Sequence, residues 1–174
     1  PGEAWQYSIA TDVLSRVVEV VSGRSFDHFL RLRILNPLGM DDTSFYVPEN
    51  KLHRLTAYYG GADPANVLQR GLRRLEKSPY PSAFTMPVPR LSGGGGLVSS
   101  MHDMLVLMRS LMPGGDHLLK PETLQLMMQN QLPAGAGISF PGVGDVPGKG
   151  FGFGGAVTLR PSSIDPAGSE GEFE

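Results

Sequence analysis

The 174 residues include no cysteine. Disulfides, thiolate metal sites and a cysteine nucleophile are therefore excluded. No apolar run approaches the roughly 20 residues of a membrane-spanning helix. No basic stretch followed by an apolar core opens the chain, so no signal peptide is read. That favours a cytoplasmic location, although the chain starts at Pro1 without a methionine, as after removal of a leader. The net charge of -2 gives no reason to expect nucleic acid or an anionic membrane as a partner. The four histidines, His28, His53, His102 and His117, form neither an H-E-x-x-H motif nor a close pair, so no metal and no cofactor are predicted. A G-x-S-x-G nucleophile elbow is also missing. Asp41 and Asp42 are neighbours in a polar turn, where adjacent side chains point apart, so they are not read as a catalytic carboxylate pair.

What remains is a chain with 40% apolar residues, 23 glycines and 15 prolines, enough for a core joined by many turns. The first stretch, PGEAWQYSIATDVLSRVVEVVSG, sets Trp5 and Tyr7 just before a helical run. Val13, Leu14, Val17, Val18 and Val21 share one face of that helix and predict a core contact, and Gly23 stops it. A tyrosine at the mouth of a packed helix is well placed to pass a proton. The plainer alternative is a half-buried aromatic with its hydroxyl in water.

Ser25 is placed to cap a second helix, with Phe26, Phe29, Leu30 and Ile34 inward, ended by Asn36-Pro37-Leu38-Gly39. Residues 44–47 and 57–59 read as short strands. Prolines break the periodicity across 62–90, where Arg70, Arg73 and Arg74 are expected on one helical turn as a solvated face. This long irregular segment reads as a functional covering loop. Ser92-Gly93-Gly94-Gly95-Gly96 follows, without the Gly-Lys-Ser/Thr of a phosphate loop. Ser100 and Asp103 form a capping-box pattern ahead of Met104, Leu105, Leu107, Met108 and Leu111, and Pro121 suits the first turn of a further helix. Residues 133–150 read as a loop and 151–160 as one strand. Gly150, Gly152 and Gly155 spell G-x-G-x-x-G, but a β-type AVTLR follows in place of a helix, so this is not a nucleotide site. Residues 171–174 would begin another strand.

The ordered set PGEAWQYS, SGRSFDHFLRLRILNPLGMDDTSF and SGGGGLVSSMHDMLVLM resembles the serine β-lactamase and penicillin-binding-protein superfamily. Within it the chain looks most like family VIII carboxylesterases and class C β-lactamases. The resemblance covers roughly residues 1–111, and more loosely the glycine-rich strand near Phe151. It implies an α+β fold, mainly the helical part of a β-lactamase/transpeptidase-like fold plus the start of its antiparallel sheet. The implied division is a helical region over 1–150, with the covering loop and a glycine-rich crossing at 92–97, and a truncated sheet over 151–174. It also implies a catalytic role for Tyr7, substrate contacts from Trp5, Ser8 and Ile9, and an active-site loop from Gly93, Gly94, Gly95 and Gly96.

The superfamily's Ser-x-x-Lys is absent. Lys51, Lys77, Lys120 and Lys149 are preceded at that spacing by Pro48, Arg74, His117 and Val146. The late Lys-Thr-Gly box or its variants is absent too. The expectation is an internal fragment of a serine hydrolase, inactive alone. The usual Tyr-x-Asn is here Tyr7-Ser8-Ile9, and Ile9 has no polar side chain. That leans toward an esterase acting on small carboxylic esters. A β-lactamase or D-alanyl-D-alanine peptidase, and a non-catalytic interaction module, remain the alternatives. The 151–160 strand would expose an edge, to be met by a complementary fragment or by another copy.

Overall fold

The computed structural model describes residues 5–63, 65–66, 68–75, 84–112, 114–115, 118–140, 142, 144–161 and 170–173. Glu76, Pro113, parts of the 62–90 segment and most of the turn at 161–171 lie outside the described residues. The architecture is mixed α+β, as expected, with short helices and antiparallel strand pairs. It divides into two compact units, one of residues 11–107 and one of residues 1–10 with 108–174.

The first unit begins with helix α1 (Ala10–Ser22). Glu19 near its end accepts the backbone N–H of Phe26 at 3.0 Å, at the start of α2 (Phe26–Leu30). Ser25 stands at the cap position but makes no side-chain capping bond, so an α1 carboxylate takes the role expected of it. The Arg16 guanidinium, then the Phe26 N–H, hold the Glu19 carboxyl below its ordinary range. A π-helical turn (Arg31–Leu35) carries the chain into α3 (Asn36–Leu38), which Gly39 ends in the left-handed conformation at φ 68°. Leu35, Met40 and Phe45 are buried there, and the Phe26 and Phe45 rings lie 5.9 Å apart.

The expected strand at 44–47 reduces to one antiparallel bridge, Ser44 to Val98, with N–O distances of 3.0 and 2.8 Å. That bridge sets the polar turn at Asp42-Thr43 beside the start of α4 (Met101–Leu111). Asp103 is 3% exposed. Its Oδ2 accepts the Asp42 N–H at 2.9 Å and the Thr43 hydroxyl at 2.7 Å, while Oδ1 accepts the Ser100 hydroxyl at 3.1 Å. Ser100 Oγ in turn accepts the Asp103 N–H at 3.2 Å. Ser100 thus caps the helix as expected, while the Asp103 carboxylate takes the Ser100 hydroxyl and clasps a turn 60 residues away.

Strands β1 (Tyr59–Gly61) and β2 (Leu72–Arg74) pair antiparallel, with Gly60 opposite Arg73. Arg73 and Arg74 therefore sit on a strand, on opposite faces, and not on one helical turn. Arg73 Nε also donates to the Gly61 carbonyl at 3.3 Å.

The second unit holds α5 (Pro121–Met127), started by Pro121 as expected. The stretch 133–150 is not all loop. It contains an antiparallel pair, β3 (Ile138–Phe140) and β4 (Gly144–Val146), with Gly142 between them at φ 79°. The segment 151–160 is likewise not one strand. β5 (Lys149–Phe151) turns at 152–155 and returns as β6 (Ala156–Thr158). Gly154 supplies the left-handed residue of that turn at φ 104°. The G-x-G-x-x-G glycines therefore belong to a hairpin. The strand expected at 171–174 reduces, among the described residues, to one antiparallel bridge, Val157 to Phe173. Ile138, Val157 and Leu124 form the buried apolar part of this unit.

The apolar face of α1 is not a core contact within the described residues. Val13, Leu14, Val17 and Val21 are exposed, Val21 by 82%. Met101, Leu105 and Met108 of α4 are exposed as well. The helical periodicity expected for α1 is present, and its apolar face is exposed among the described residues.

Candidate active site

The segment carrying Trp5, Tyr7 and Ser8 has no regular secondary structure and bends at Ile9 into α1. Trp5 and Tyr7 meet the same ring, Phe140 of β3. Trp5 lies 5.7 Å from it at an interplanar angle of 72°, edge to face, and Tyr7 lies 5.4 Å away at 41°. Trp5 also packs on Phe151 of β5 at 4.9 Å. These separations fall in the attractive range for aromatic pairs. The Tyr7 backbone N–H points to the Ser139 carbonyl at 3.5 Å.

Tyr7 is 58% exposed, and its hydroxyl has no hydrogen-bond partner among the described residues. The ring is thus braced on one side while the phenol oxygen is open. Ser8 is exposed, and Ile9 is 70% exposed. Neither shares the aromatic contact.

The glycine run belongs to the other unit. Ser92 Oγ donates to Asp12 Oδ1 at 2.6 Å and accepts the Gly95 N–H at 3.1 Å. This pins the loop to the first turn of α1. A Cβ on Gly93 would collide with the Thr11 carbonyl and lie 2.8 Å from Ser15 Cβ, and one on Gly94 would lie 2.7 Å from Asp12 Oδ2. Gly96 takes φ 118°, and Gly95 faces open space. Close backbone approach thus explains the first two glycines, and backbone conformation the fourth.

Among the described residues no group of three or more His, Asp or Glu side chains is arranged to hold a metal, and no helix is long and apolar enough to cross a membrane. A cavity of about 490 Å³ lies in the unit of residues 11–107, lined by Arg31, Asp42, Thr43, Lys51, Arg54 and Ser99 among others. None of the sequence-predicted site residues lines it. Its central charges are already engaged. Arg54 makes two bonds to the Asp42 carboxylate at 2.6 and 2.9 Å, and Lys51 adds a third at 2.6 Å. Arg54 first, then Lys51, holds the Asp42 carboxyl down at about 2.

Sequence reasoning missed Phe140 and Phe151. The signal was the apolar-polar-apolar alternation of Ile138-Ser139-Phe140 ahead of a Pro-Gly turn, hidden in a stretch dense with glycine.

A model of the family described as Beta-lactamase matches residues 1–166. Lovastatin esterase of Penicillium rubens is 31% identical over 187 aligned positions, which cover 92% of this chain and 42% of that protein. Esterase EstB of Burkholderia gladioli is 31% identical over 170, covering 94% and 41%. The solved structure of EstCE1, described as a hydrolase with promiscuous acyltransferase activity, superposes with a TM-score of 0.66 at 30% identity and covers 92% of this chain and 42% of its own. The chain spans about two fifths of the length of these relatives. With nearly its whole length under one family model and relatives at this identity, the chain belongs to the beta-lactamase family, in the serine β-lactamase and penicillin-binding-protein-like superfamily.

Proposed function

We propose that these residues are part of a carboxylesterase that cleaves small carboxylic esters through an acyl-serine, with Tyr7 carrying the proton. The observation that carries it is the braced Tyr7 ring with its open hydroxyl, at the motif position where the superfamily places its tyrosine. The two esterases at 31% identity support the ester as substrate class. Ile9, in place of an amide-bearing residue, speaks against recognition of a β-lactam or peptide amide.

In the proposed reaction a serine hydroxyl attacks the ester carbonyl and the alcohol departs with a proton. Water then attacks the acyl-serine and releases the acid. A proton leaves the nucleophile in each half, and Tyr7 passes it to the leaving group. The nucleophile comes from sequence outside these residues, since no Ser-x-x-Lys occurs among them. Trp5, Ser8 and Ile9 line the substrate side. The glycine loop is held to α1 by the Ser92–Asp12 bond.

The exposed faces of α1 and α4 fit this reading. We infer that they pack against the remaining segments of the full-length hydrolase, supplied in the same chain or as a complementary fragment. Self-association is what the isolated 174 residues do when those segments are missing.

The test is Tyr7→Phe in the full-length protein. Removing the proton carrier lowers kcat for a p-nitrophenyl ester by about 10²–10⁴. Turnover within twofold or so of the wild type would sink the assigned role.

A further inference from the structure

We propose that Phe140 is a positioning residue for Tyr7: the β3–β4 hairpin sets where the phenol oxygen stands. The inference rests on the proton-carrying role proposed for Tyr7 and adds a residue that lies 133 positions further along the chain.

Three observations converge on Phe140. First, its ring is the shared bearing for Trp5 and Tyr7, at 5.7 and 5.4 Å, and Trp5 is held on its other flank by Phe151 at 4.9 Å. Second, the neighbouring residue of the same strand, Ser139, offers its carbonyl to the Tyr7 N–H. One strand therefore meets both the backbone and the ring of Tyr7, which fixes position and tilt together. Third, the hairpin is built to aim the Phe140 ring outward to that contact. Ile138, two residues before it and so on the same face, is 2% exposed and anchors that face. The residue directly opposite Phe140 in the ladder is Gly144, at φ 89°. With no cross-strand side chain to stack on, the ring is left to Trp5 and Tyr7.

The need for such a bearing follows from the rest of the site. More than half of Tyr7 is exposed, and its hydroxyl has no partner among the described residues. No described residue holds the oxygen end of the phenol, so among the described residues its placement is set at the ring. Proton transfer requires the carrier within hydrogen-bond reach of the reacting atoms, and a misplacement of about 1 Å costs on the order of 10²-fold.

The experiment compares Phe140→Ala, Phe140→Leu and Phe140→Tyr in the full-length protein, alone and with Tyr7→Phe. The probe is p-nitrophenyl acetate. Phe140→Ala and Phe140→Leu should each lower kcat about tenfold or more, with KM changed by less than about threefold. Phe140→Tyr, which keeps the ring, should restore kcat to within about threefold of wild type. In the Tyr7→Phe background Phe140→Ala should cost nothing further, because the residue acts through Tyr7. If Tyr7→Phe is impaired while Phe140→Ala and Phe140→Leu keep the wild-type kcat, the positioning role is overturned and the Tyr7 role stands. Equal losses with and without the Tyr7 hydroxyl overturn it too. If Tyr7→Phe itself turns over normally, the Tyr7 role falls, and the positioning role with it.

Discussion

Replacing Asp103 with alanine should unfold the protein at markedly lower denaturant. Its carboxylate is 3% exposed and accepts three hydrogen bonds, from the Asp42 N–H, the Thr43 hydroxyl and the Ser100 hydroxyl. An ionised carboxylate only accepts, so the Thr43 hydroxyl donates to it and in turn accepts from Ser99 Oγ at 2.7 Å. Each bond to a charged acceptor contributes about 1.5–3 kcal/mol. The three share one desolvated group and are not additive. A total of about 3–5 kcal/mol is expected for Asp103→Ala, because the mutation also leaves the Asp42 N–H and the hydroxyl of the 6%-exposed Thr43 short of a partner. Thr43→Val removes one bond of the set and should cost about 1 kcal/mol. The pair together should cost less than the sum by about 1–2 kcal/mol. Urea denaturation of the full-length protein, followed by circular dichroism and compared at constant m-value, reads all three. A cost below about 1 kcal/mol for Asp103→Ala, or strict additivity with Thr43→Val, would refute the clasp as an organising contact.

Acid should weaken the neighbouring ion-pair cluster in a defined window. The Asp42 carboxyl is lowered from 3.8 to about 2 by Arg54 and then Lys51. A lowered folded value means its contribution is complete above the unfolded value near 3.8 and is lost as pH falls through about 2. The stability gap between wild type and Asp42→Asn should therefore shrink between about pH 5 and pH 2, and a gap that stays constant would contradict it. The isolated 174 residues should self-associate and bind a hydrophobic dye, because the α1 and α4 faces lack their cover. A monodisperse monomer with a single cooperative unfolding transition by size exclusion and calorimetry would rule that out.

How much of the fold is legible in the sequence depends on how local each determinant is. The Ser100 cap on Asp103 was legible because both partners lie within one helical turn, and Pro121 marked α5 for the same reason. The apolar stripe of α1 was legible as a helix and misleading as a core. A hydrophobic face has the same period whether its cover comes from these residues or from others. The strands failed differently. Each is three residues long, so period-2 alternation has almost no room to register. The glycines that permit the tight turns also make the sequence look like loop. Arg70 to Arg74 failed because pairing with Gly60-Gly61 overrode any local helical preference.

The candidate site divides along the same line. Tyr7 sits in a contiguous motif, so one stretch of sequence was enough to single it out. Phe140 contributes only through a contact across 133 positions, in a hairpin whose own strands carry no strong local signal. The residue that holds a proton carrier in place needs only shape and an aromatic face, and many positions offer those. The carrier itself needs an ionisable hydroxyl at one place. If the proposed roles of Tyr7 and Phe140 hold, chemistry is legible in sequence sooner than the support that orients it. A Phe140 variant that keeps its fold and loses only kcat would show that support acting on its own.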